Sequence, residues 1–278
     1  MVGAIGFGTN PMASFTERPT MQDAVAVLAR AAELGVTLLD TADAYCLDDK
    51  DIGYGEWMCR EAVASLPAEL RERVVIATKG GTVRPGGGWE ADCSPEHLRA
   101  AIDASLLALQ TDCIELYQIH RPDDEVPFAD SVGALAKAKE QGKIRLVGLS
   151  NVSVAQIDEA LEIVPIASVQ NSYGFHNRAP ESDGVLEKCR ELGLALLPFS
   201  SFGGVSGAKG LGQEGALAEV AQELDASPQQ VVLAWQLQKY ERLIPIPGFS
   251  RSETLEDTVR ADELSLSPEQ IARLDAAE

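Results

Sequence analysis

The stretch Glu140-Gln-Gly-Lys-Ile-Arg-Leu-Val-Gly-Leu-Ser-Asn151 joins the end of a helix to a buried strand, and the strand to a polar end. Gly142 stands where a helix C-terminus takes a left-handed residue. An apolar run follows, and Ser150 and Asn151 come directly after it. Glycines 35 and 193, in Glu33-Leu-Gly-Val and Glu191-Leu-Gly-Leu, mark the same transition. The chain therefore repeats a helix-to-strand unit.

Eight short runs rich in apolar and β-branched residues predict strands. Because they are continuous rather than alternating, both faces of each strand are expected to be buried. The runs are Ile5–Gly8, Val36–Leu39, Val74–Thr78, Ile114–Ile119, Ile144–Leu149, Ile166–Val169, Leu194–Leu197 and Leu243–Ile246. Eight strands alternating with helices predict an α/β fold, the (β/α)8 TIM barrel, as a single domain over residues 1–278. A doubly wound open sheet is the alternative, disfavoured because no GxGxxG turn follows the first strand.

Three helices are predicted to begin with a Ser-Pro pair. Ser94, Ser227 and Ser267 each place a hydroxyl at the N-cap and a proline at the first helical position. In the last two, a glutamine three residues later completes a capping box. Ser250 and Glu253 have the same spacing after the eighth strand, so a capped helix is also predicted there, and its free amides would favour an anion.

The composition restricts the function. Hydrophobic residues make up 45% of the 278, and no apolar run approaches the ~20 residues that a membrane span needs. Forty-three acidic against 23 basic residues give a charge of −20, which disfavours binding to nucleic acid or anionic membranes. The N-terminus lacks the pattern of a secretory signal, and the five cysteines show no CxxC spacing. Free thiols in the cytoplasm are therefore predicted.

Polar side chains follow seven of the predicted strands directly. The carboxyl ends of barrel strands meet on one face, where barrel enzymes have their active sites. A lysine and a histidine that close long buried strands are poorly explained as turn residues. In chain order the groups are Thr9-Asn10, Asp40 with Asp43 and Tyr45, Lys79, His120, Ser150-Asn151, Gln170-Asn171 and Ser200-Ser201.

Asp40, Tyr45, Lys79 and His120 together fit the reduction of a carbonyl. A carbonyl that accepts hydride needs a proton, and a tyrosine, with an ordinary pKa of about 10, gives one near neutrality only beside a cation. Lys79 is predicted to supply the cation, Asp40 to hold the ammonium, and His120 to orient the carbonyl oxygen. Each residue alone has an ordinary structural explanation as a loop cap or strand end, but the set favours catalysis.

Five ordered motifs resemble those of the aldo-keto reductase family, and the resemblance runs from Ile5 to about Val259. The motifs are Leu39-Asp-Thr-Ala-Asp-Ala-Tyr45, Ala77-Thr-Lys79-Gly, Leu116-Tyr-Gln-Ile-His120-Arg-Pro122, Gly148-Leu-Ser-Asn151 and Ser168-Val-Gln-Asn-Ser-Tyr173. The resemblance implies an NAD(P)H-dependent oxidoreductase that acts on a small carbonyl or alcohol compound. It implies that Tyr45 is the general acid, with Asp40, Lys79 and His120 as its partners.

The same resemblance implies the contacts of the nicotinamide. Ser150, Asn151 and Gln170 would hold its carboxamide. Phe199 stands where the family usually has a tyrosine stacked on the ring; phenylalanine keeps the stacking surface and loses the hydroxyl.

The remaining cofactor contacts are predicted from the loops after the first, seventh and eighth strands. The family folds the glycine-rich stretch 202–212 over the pyrophosphate, and barrels often bind phosphate near strands seven and eight. These contacts are Gly8, Thr9, Ser200, Ser201, Gly203, Gly248, Ser250, Arg251 and Asp257. Arg251 is predicted to read the 2′-phosphate of NADPH. NADH is the alternative cofactor, because Thr254 stands where the family usually has a basic residue.

Loops at the mouth supply the candidate substrate contacts. The residues predicted are Tyr54, Trp89 and Arg121, with Met12, Phe15 and Phe202 as further candidates. Because the sequence stops at Glu278 without a long closing loop, an open pocket for small or planar carbonyl compounds is expected.

Three other functions are compatible with parts of this pattern. A metal-dependent hydrolase would need several metal-ligating side chains at strand ends, and the chain has only three histidines, so no metal site is predicted. A Schiff-base aldolase would use Lys79 as its nucleophile. A redox-sensing regulatory subunit would bind the nicotinamide cofactor with little turnover.

Overall fold

The computed structural model describes residues 2–213 and 215–277, and the strands of these residues form a curled parallel sheet and one hairpin. The strands are β1 (Phe7–Gly8), β2 (Leu38–Asp40), β3 (Val75–Gly80), β4 (Thr82–Val83), β5 (Glu90–Ala91), β6 (Ile114–Ile119), β7 (Ile144–Ser150), β8 (Ile166–Gln170) and β9 (Ala195–Leu196). β4 and β5 form the antiparallel hairpin, and the others pair in chain order. This order confirms seven of the predicted barrel strands.

The eighth predicted strand closes the barrel without forming a regular strand. The Ile244 amide donates to the Leu196 carbonyl at 2.8 Å, and on the opposite side the Gly8 amide donates to the Pro247 carbonyl at 2.9 Å. Pro247 and Pro245 have no N–H, so they cannot return hydrogen bonds to β1. The (β/α)8 barrel is therefore closed by a sparser ladder than the sequence predicted.

The helices cover the outside of the sheet. In the described residues they are α1 (Asn10–Ala13), α2 (Met21–Glu33), α3 (Tyr54–Ser65), α4 (Ala68–Arg71), α5 (Pro95–Leu109), α6 (Phe128–Glu140), α7 (Val154–Leu161), α8 (Ala179–Ser182), α9 (Val185–Leu192), α10 (Gly204–Gly210), α11 (Gly215–Glu223), α12 (Pro228–Leu237), α13 (Ser252–Thr258) and α14 (Pro268–Ala276). Ser94, Ser227 and Ser267 cap α5, α12 and α14 as predicted, each hydroxyl accepting a hydrogen bond from the amide three residues later. Among the described helices, none is long and apolar enough to cross a membrane.

The predicted capping box at Ser250 and Glu253 is wrong. Arg251 is the N-cap of α13, in an extended conformation, and its side chain makes no cap hydrogen bond. The helix therefore begins one residue later than a Ser250 cap requires, and the Thr254 hydroxyl instead donates to the Arg251 carbonyl at 2.9 Å.

Side chains alternate between the two faces of each strand, and this alternation places polar residues inside the barrel near the carboxyl ends of the strands. An interior apolar layer contains Leu38, Ala77 and Leu116 together with Leu197 and Ile246. Side chains two residues apart on a strand share a face. The residues two positions after Leu38, Ala77 and Leu116 therefore also point into the barrel. These residues are Asp40, Lys79 and Gln118.

Candidate active site

Lys79 lies at the centre of a buried polar group at the carboxyl ends of the strands. Its Nζ donates hydrogen bonds to Asp40 Oδ1 at 2.6 Å, to the Thr41 carbonyl at 2.8 Å and to the Tyr45 hydroxyl at 3.3 Å. The side chain is fully buried, and all three ammonium protons have acceptors. The fold thus brings Asp40, Lys79 and Tyr45 into contact, although they come from different parts of the sheet.

Asp40 is fixed through its second oxygen as well. Oδ2 accepts hydrogen bonds from Gln170 Nε2 at 2.7 Å and from Gln118 Nε2 at 3.3 Å. Burial acts to lower the pKa of Lys79, but Asp40 and Tyr45 together outweigh burial, and the pKa lies above its ordinary value. Lys79 therefore keeps its charge inside the barrel.

Tyr45 carries its proton at neutral pH. Burial raises the pKa of the phenol, and the Lys79 ammonium opposes that rise without reversing it. The effect of burial is larger than that of the cation, so the pKa does not fall as the presence of a neighbouring cation alone would suggest. The hydroxyl is consequently protonated at rest, and it lies within hydrogen-bond distance of the Lys79 ammonium.

His120 completes the group beside Tyr45. The two rings meet edge to face with centroids 5.6 Å apart, and Trp89 lies 6.4 Å from each of them. Burial, followed by the charges of Lys79 and Arg121, lowers the pKa of His120 well below its ordinary value. The imidazole is therefore neutral, so it can donate one hydrogen bond to a carbonyl oxygen without adding a charge.

A cleft of about 1210 Å³ opens above these residues and runs to the start of α13. Of the predicted cofactor contacts, those that line it are Gly8, Ser150, Asn151, Gln170, Phe199, Ser200, Ser201, Gly248, Ser250, Arg251 and Asp257. Thr9 and Gly203 are not in the lining. The Thr9 hydroxyl donates to the Asp40 carbonyl at 3.0 Å, and Gly203 is the N-cap of α10.

Of the residues predicted to contact the substrate, Trp89, Arg121, Phe15 and Phe202 line the cleft. Tyr54 and Met12 lie elsewhere. The Tyr54 ring stacks under the Arg18 guanidinium, 3.6 Å from its centroid, and Met12 is buried in the core. The geometry does not support substrate contact for either residue.

The cleft wall contains polar atoms without partners. Asn10 Oδ1 and Ser201 Oγ are buried and have no hydrogen-bond partner within the described chain. Leaving such an atom unsatisfied typically costs about 1–3 kcal/mol, which a polar ligand in the cleft would relieve. With the Phe199 ring in the same lining, the residues would fit a dinucleotide cofactor. Across residues 2–213 and 215–277, no group of three or more His, Cys, Asp or Glu side chains could hold a metal ion.

The comparisons with known proteins agree with this geometry. Residues 4–278 match the model of the aldo/keto reductase family. The chain belongs to the aldo-keto reductase family. An uncharacterized oxidoreductase of Schizosaccharomyces pombe is 36% identical over 280 residues, covering 99% of this chain and 86% of its own length. The protein is thus a member of an oxidoreductase family.

Two solved aldo-keto reductases have the same fold. A thermostable enzyme in complex with the inhibitor epalrestat is 30% identical, with a TM-score of 0.82, over 99% of this chain and 95% of its own. An enzyme of Klebsiella pneumoniae in complex with NADP and acetate is 27% identical, with a TM-score of 0.81, over 99% and 90%. Both comparisons confirm the barrel.

Two parts of the site of this aldo-keto reductase were not predicted from the sequence. Gln118, which holds Asp40, lies two residues before His120 on β6, so the alternation of the strand was the signal that could have found it. The cleft is also lined by residues that the sequence analysis did not name individually as cofactor or substrate contacts; they are Asn10, Pro11, Gly204, Ala208, Gln229, Ile246, Pro247, Phe249, Glu253, Thr254 and Thr258.

Proposed function

We propose that this protein is an NAD(P)H-dependent oxidoreductase that interconverts a small carbonyl compound and an alcohol, with Tyr45 as the proton donor. One observation carries the proposal. The protonated Tyr45 hydroxyl faces a large cleft and lies 3.3 Å from an ammonium that is itself held 2.6 Å from a buried carboxylate.

The chain's own residues have distinct roles in this reaction. When bound, the nicotinamide supplies the hydride. Tyr45 gives its proton to the carbonyl oxygen, while the neutral His120 orients that oxygen by a hydrogen bond. Lys79, held charged by Asp40, stabilises the phenolate that Tyr45 becomes. In the alcohol-oxidising direction the same groups act in reverse.

Residues along the cleft would hold the cofactor. Ser150, Asn151 and Gln170 line the cleft and would bind the carboxamide, and Phe199 would stack on the ring. Asn151 has a left-handed φ of 59°, and its Nδ2 donates to the His120 carbonyl at 3.0 Å. The residue that would bind the cofactor is therefore coupled to the residue that would bind the substrate.

NADPH is the preferred cofactor in this proposal. Arg251 lines the cleft, is exposed, and forms no ion pair with the described residues. Asp257, which could have neutralised it, instead accepts a hydrogen bond from the Ser227 hydroxyl at 2.6 Å. A guanidinium free to make two parallel hydrogen bonds suits a 2′-phosphate. The Klebsiella relative that carries NADP supports the same choice.

An aldolase function is not favoured by the surroundings of Lys79. A Schiff-base lysine must be neutral to attack, whereas this ammonium donates three hydrogen bonds and has a raised pKa. Borohydride treatment with an aldehyde should therefore leave no covalent adduct on Lys79. An adduct recovered on that residue by mass spectrometry would revive the aldolase.

The decisive experiment is a steady-state panel of aldehydes, ketones and sugars with NADPH and with NADH. Turnover of small or planar carbonyl compounds, faster with NADPH, is expected. If the cofactor binds but no carbonyl is reduced and no alcohol is oxidised, the protein is a redox-sensing subunit instead. The five free cysteines support a cytoplasmic location in this proposal.

A further inference from the structure

Arg84 is a buried arginine that belongs to none of the sequence motifs described above. Only 3% of the residue is exposed, and its guanidinium uses all five N–H groups in hydrogen bonds to backbone carbonyls. The accepting oxygens belong to Ala44 (3.0 Å), Cys46 (2.6 Å), Leu47 (3.0 Å), Gly87 (2.9 Å) and Gly88 (2.7 Å).

These carbonyls come from two separate loops. Residues 44–47 contain Tyr45, and residues 87–88 end the turn of the β4–β5 hairpin just before Trp89. The loops also touch directly, because a Cβ on Gly87 would lie 3.2 Å from the Leu47 carbonyl oxygen. Arg84 therefore joins the loop of the proton donor to the turn that ends at the aromatic wall.

The same guanidinium supports the Trp89 ring. It stacks on the indole with 3.8 Å between its central carbon and the ring centroid. The rings of Tyr45 and His120 also contact Trp89, each with its centroid 6.4 Å from that of the indole. Trp89 is 40% exposed, and the Arg84 guanidinium is the nearest of these three groups to its ring.

The contacts of Arg84 are unusual for a buried cation. No carboxylate of the described residues lies within ion-pair distance of it, so its charge is satisfied by carbonyl dipoles alone. A buried charged group is stable only when its donors are paired, and here five acceptors converge on one side chain. Such convergence fixes the loops relative to each other more tightly than one ion pair would.

We propose that Arg84 is a positioning residue that sets the distance between the Tyr45 hydroxyl and the Trp89 ring, and thereby selects ring-bearing carbonyl substrates. The proposal rests on the reductase function proposed above. Through the 44–47 loop Arg84 affects proton delivery, and through Trp89 it affects substrate binding. Lysine can replace it only in part, because its single nitrogen has three donors against the five of the guanidinium.

The test compares Arg84→Met and Arg84→Lys with the wild type, using benzaldehyde and propanal with NADPH. Arg84→Met should raise KM for benzaldehyde and lower kcat, each by roughly tenfold. KM for propanal should change less, and the Kd of NADPH should stay the same. Arg84→Lys should recover only part of the loss.

A double-mutant cycle assigns the two effects. With Trp89→Leu already in place, Arg84→Met should no longer raise KM for benzaldehyde but should still lower kcat. The matched control is Arg178→Met. Arg178 also joins two segments, through the carbonyls of Phe175 and Leu274, and it does not line the cleft. Arg178→Met should lower the stability of the fold without changing kcat or the KM for benzaldehyde.

Several outcomes would overturn the proposal. They are wild-type kinetics in Arg84→Lys, an undiminished KM effect in the Trp89→Leu background, or the same kinetic changes in Arg178→Met. If Arg84→Met does not fold, Arg84→Lys carries the cycle instead. Failure of the reductase function itself is distinct, because the wild type would then reduce neither aldehyde. In that case amide exchange still tests the link between the loops. Faster exchange in residues 44–47 and 85–89 of Arg84→Lys would support it, and unchanged exchange would contradict it.

Discussion

The ammonium of Lys79 lies 3.3 Å from the hydroxyl of Tyr45, and both side chains are buried. Burial raises the pKa of Tyr45, which keeps the phenol protonated near neutral pH. The cation beside it matters at a different moment, when the proton leaves and negative charge appears on the oxygen. The pair therefore combines a resting acid with a stabilised conjugate base.

Lys79→Met should abolish most turnover and also destabilise the fold. The substitution leaves Asp40 as an unpaired buried charge, and breaking a buried pair from one side typically costs about 3–5 kcal/mol. Removing both charges, in Lys79→Met with Asp40→Asn, should restore part of that stability although the enzyme stays inactive. Urea unfolding of the three proteins measures the difference. A double variant less stable than Lys79→Met would mean that the pair is not charged.

Glu56 predicts a pH dependence of stability. Its Oε1 accepts a hydrogen bond from the Thr78 hydroxyl at 2.6 Å, and burial raises its pKa from 4.5 to about 7. A carboxyl that keeps its proton only in the folded state stabilises the fold at low pH. This contribution is complete below the unfolded pKa and is lost as the pH rises through the folded one. Relative to Glu56→Gln, the free energy of unfolding of the wild type should fall by about 3 kcal/mol over that window.

The control for this profile is Glu69→Gln, an exposed glutamate in α4. Its unfolding free energy should follow that of the wild type at every pH. Parallel profiles for the wild type and Glu56→Gln would show that Glu56 titrates alike in both states. The nearby Asp43, whose pKa is raised by burial and then by the charge of Glu56, adds a further slope that becomes smaller in Glu56→Gln.

Arg251→Ala should weaken the preference for NADPH. Losing hydrogen bonds to a charged phosphate corresponds to roughly 10–100-fold in kcat/KM, and NADH should be nearly unaffected. Arg260→Ala is the matched control, because Arg260 pairs with Glu263 at 3.5 Å instead of lining the cleft. An equal loss with both cofactors would show that Arg251 does not read the 2′-phosphate.

Arg121 should distinguish substrates by charge. It lines the cleft and forms no ion pair within the described residues. Arg121→Gln should raise KM for 4-carboxybenzaldehyde by roughly tenfold and leave benzaldehyde unchanged, because only the first offers a carboxylate. Equal changes for both aldehydes would assign Arg121 a structural role.

Much of the fold could be predicted because its signals are local. Apolar runs and Ser-Pro caps lie within a few residues of the elements that they specify, as at Ser227 and α12. The strand-end positions of Asp40, Lys79 and His120 likewise placed them on one face. The failures were of another kind. Ser250 had the spacing of a cap, but the conformation of Arg251 moved the helix start.

Contacts between distant segments could not be predicted in this way. Tyr54 follows the Tyr45 loop closely in sequence, yet Arg18, from an earlier segment, stacks on its ring away from the cleft. Arg84 bonds carbonyls about forty positions earlier, and backbone acceptors leave no trace in residue identity. Such contacts depend on where loops meet, which only the folded chain determines.

The measurement that tests the central claim most directly is the single-turnover rate of Tyr45→Phe with bound NADPH and benzaldehyde. The variant should bind NADPH with the wild-type Kd and lose at least ~10²-fold in rate, since general acid catalysis contributes about that much or more. Tyr54→Phe, altered at a tyrosine outside the cleft, should keep the wild-type rate. A Tyr45→Phe rate equal to that of the wild type would contradict the assignment of Tyr45 as the proton donor.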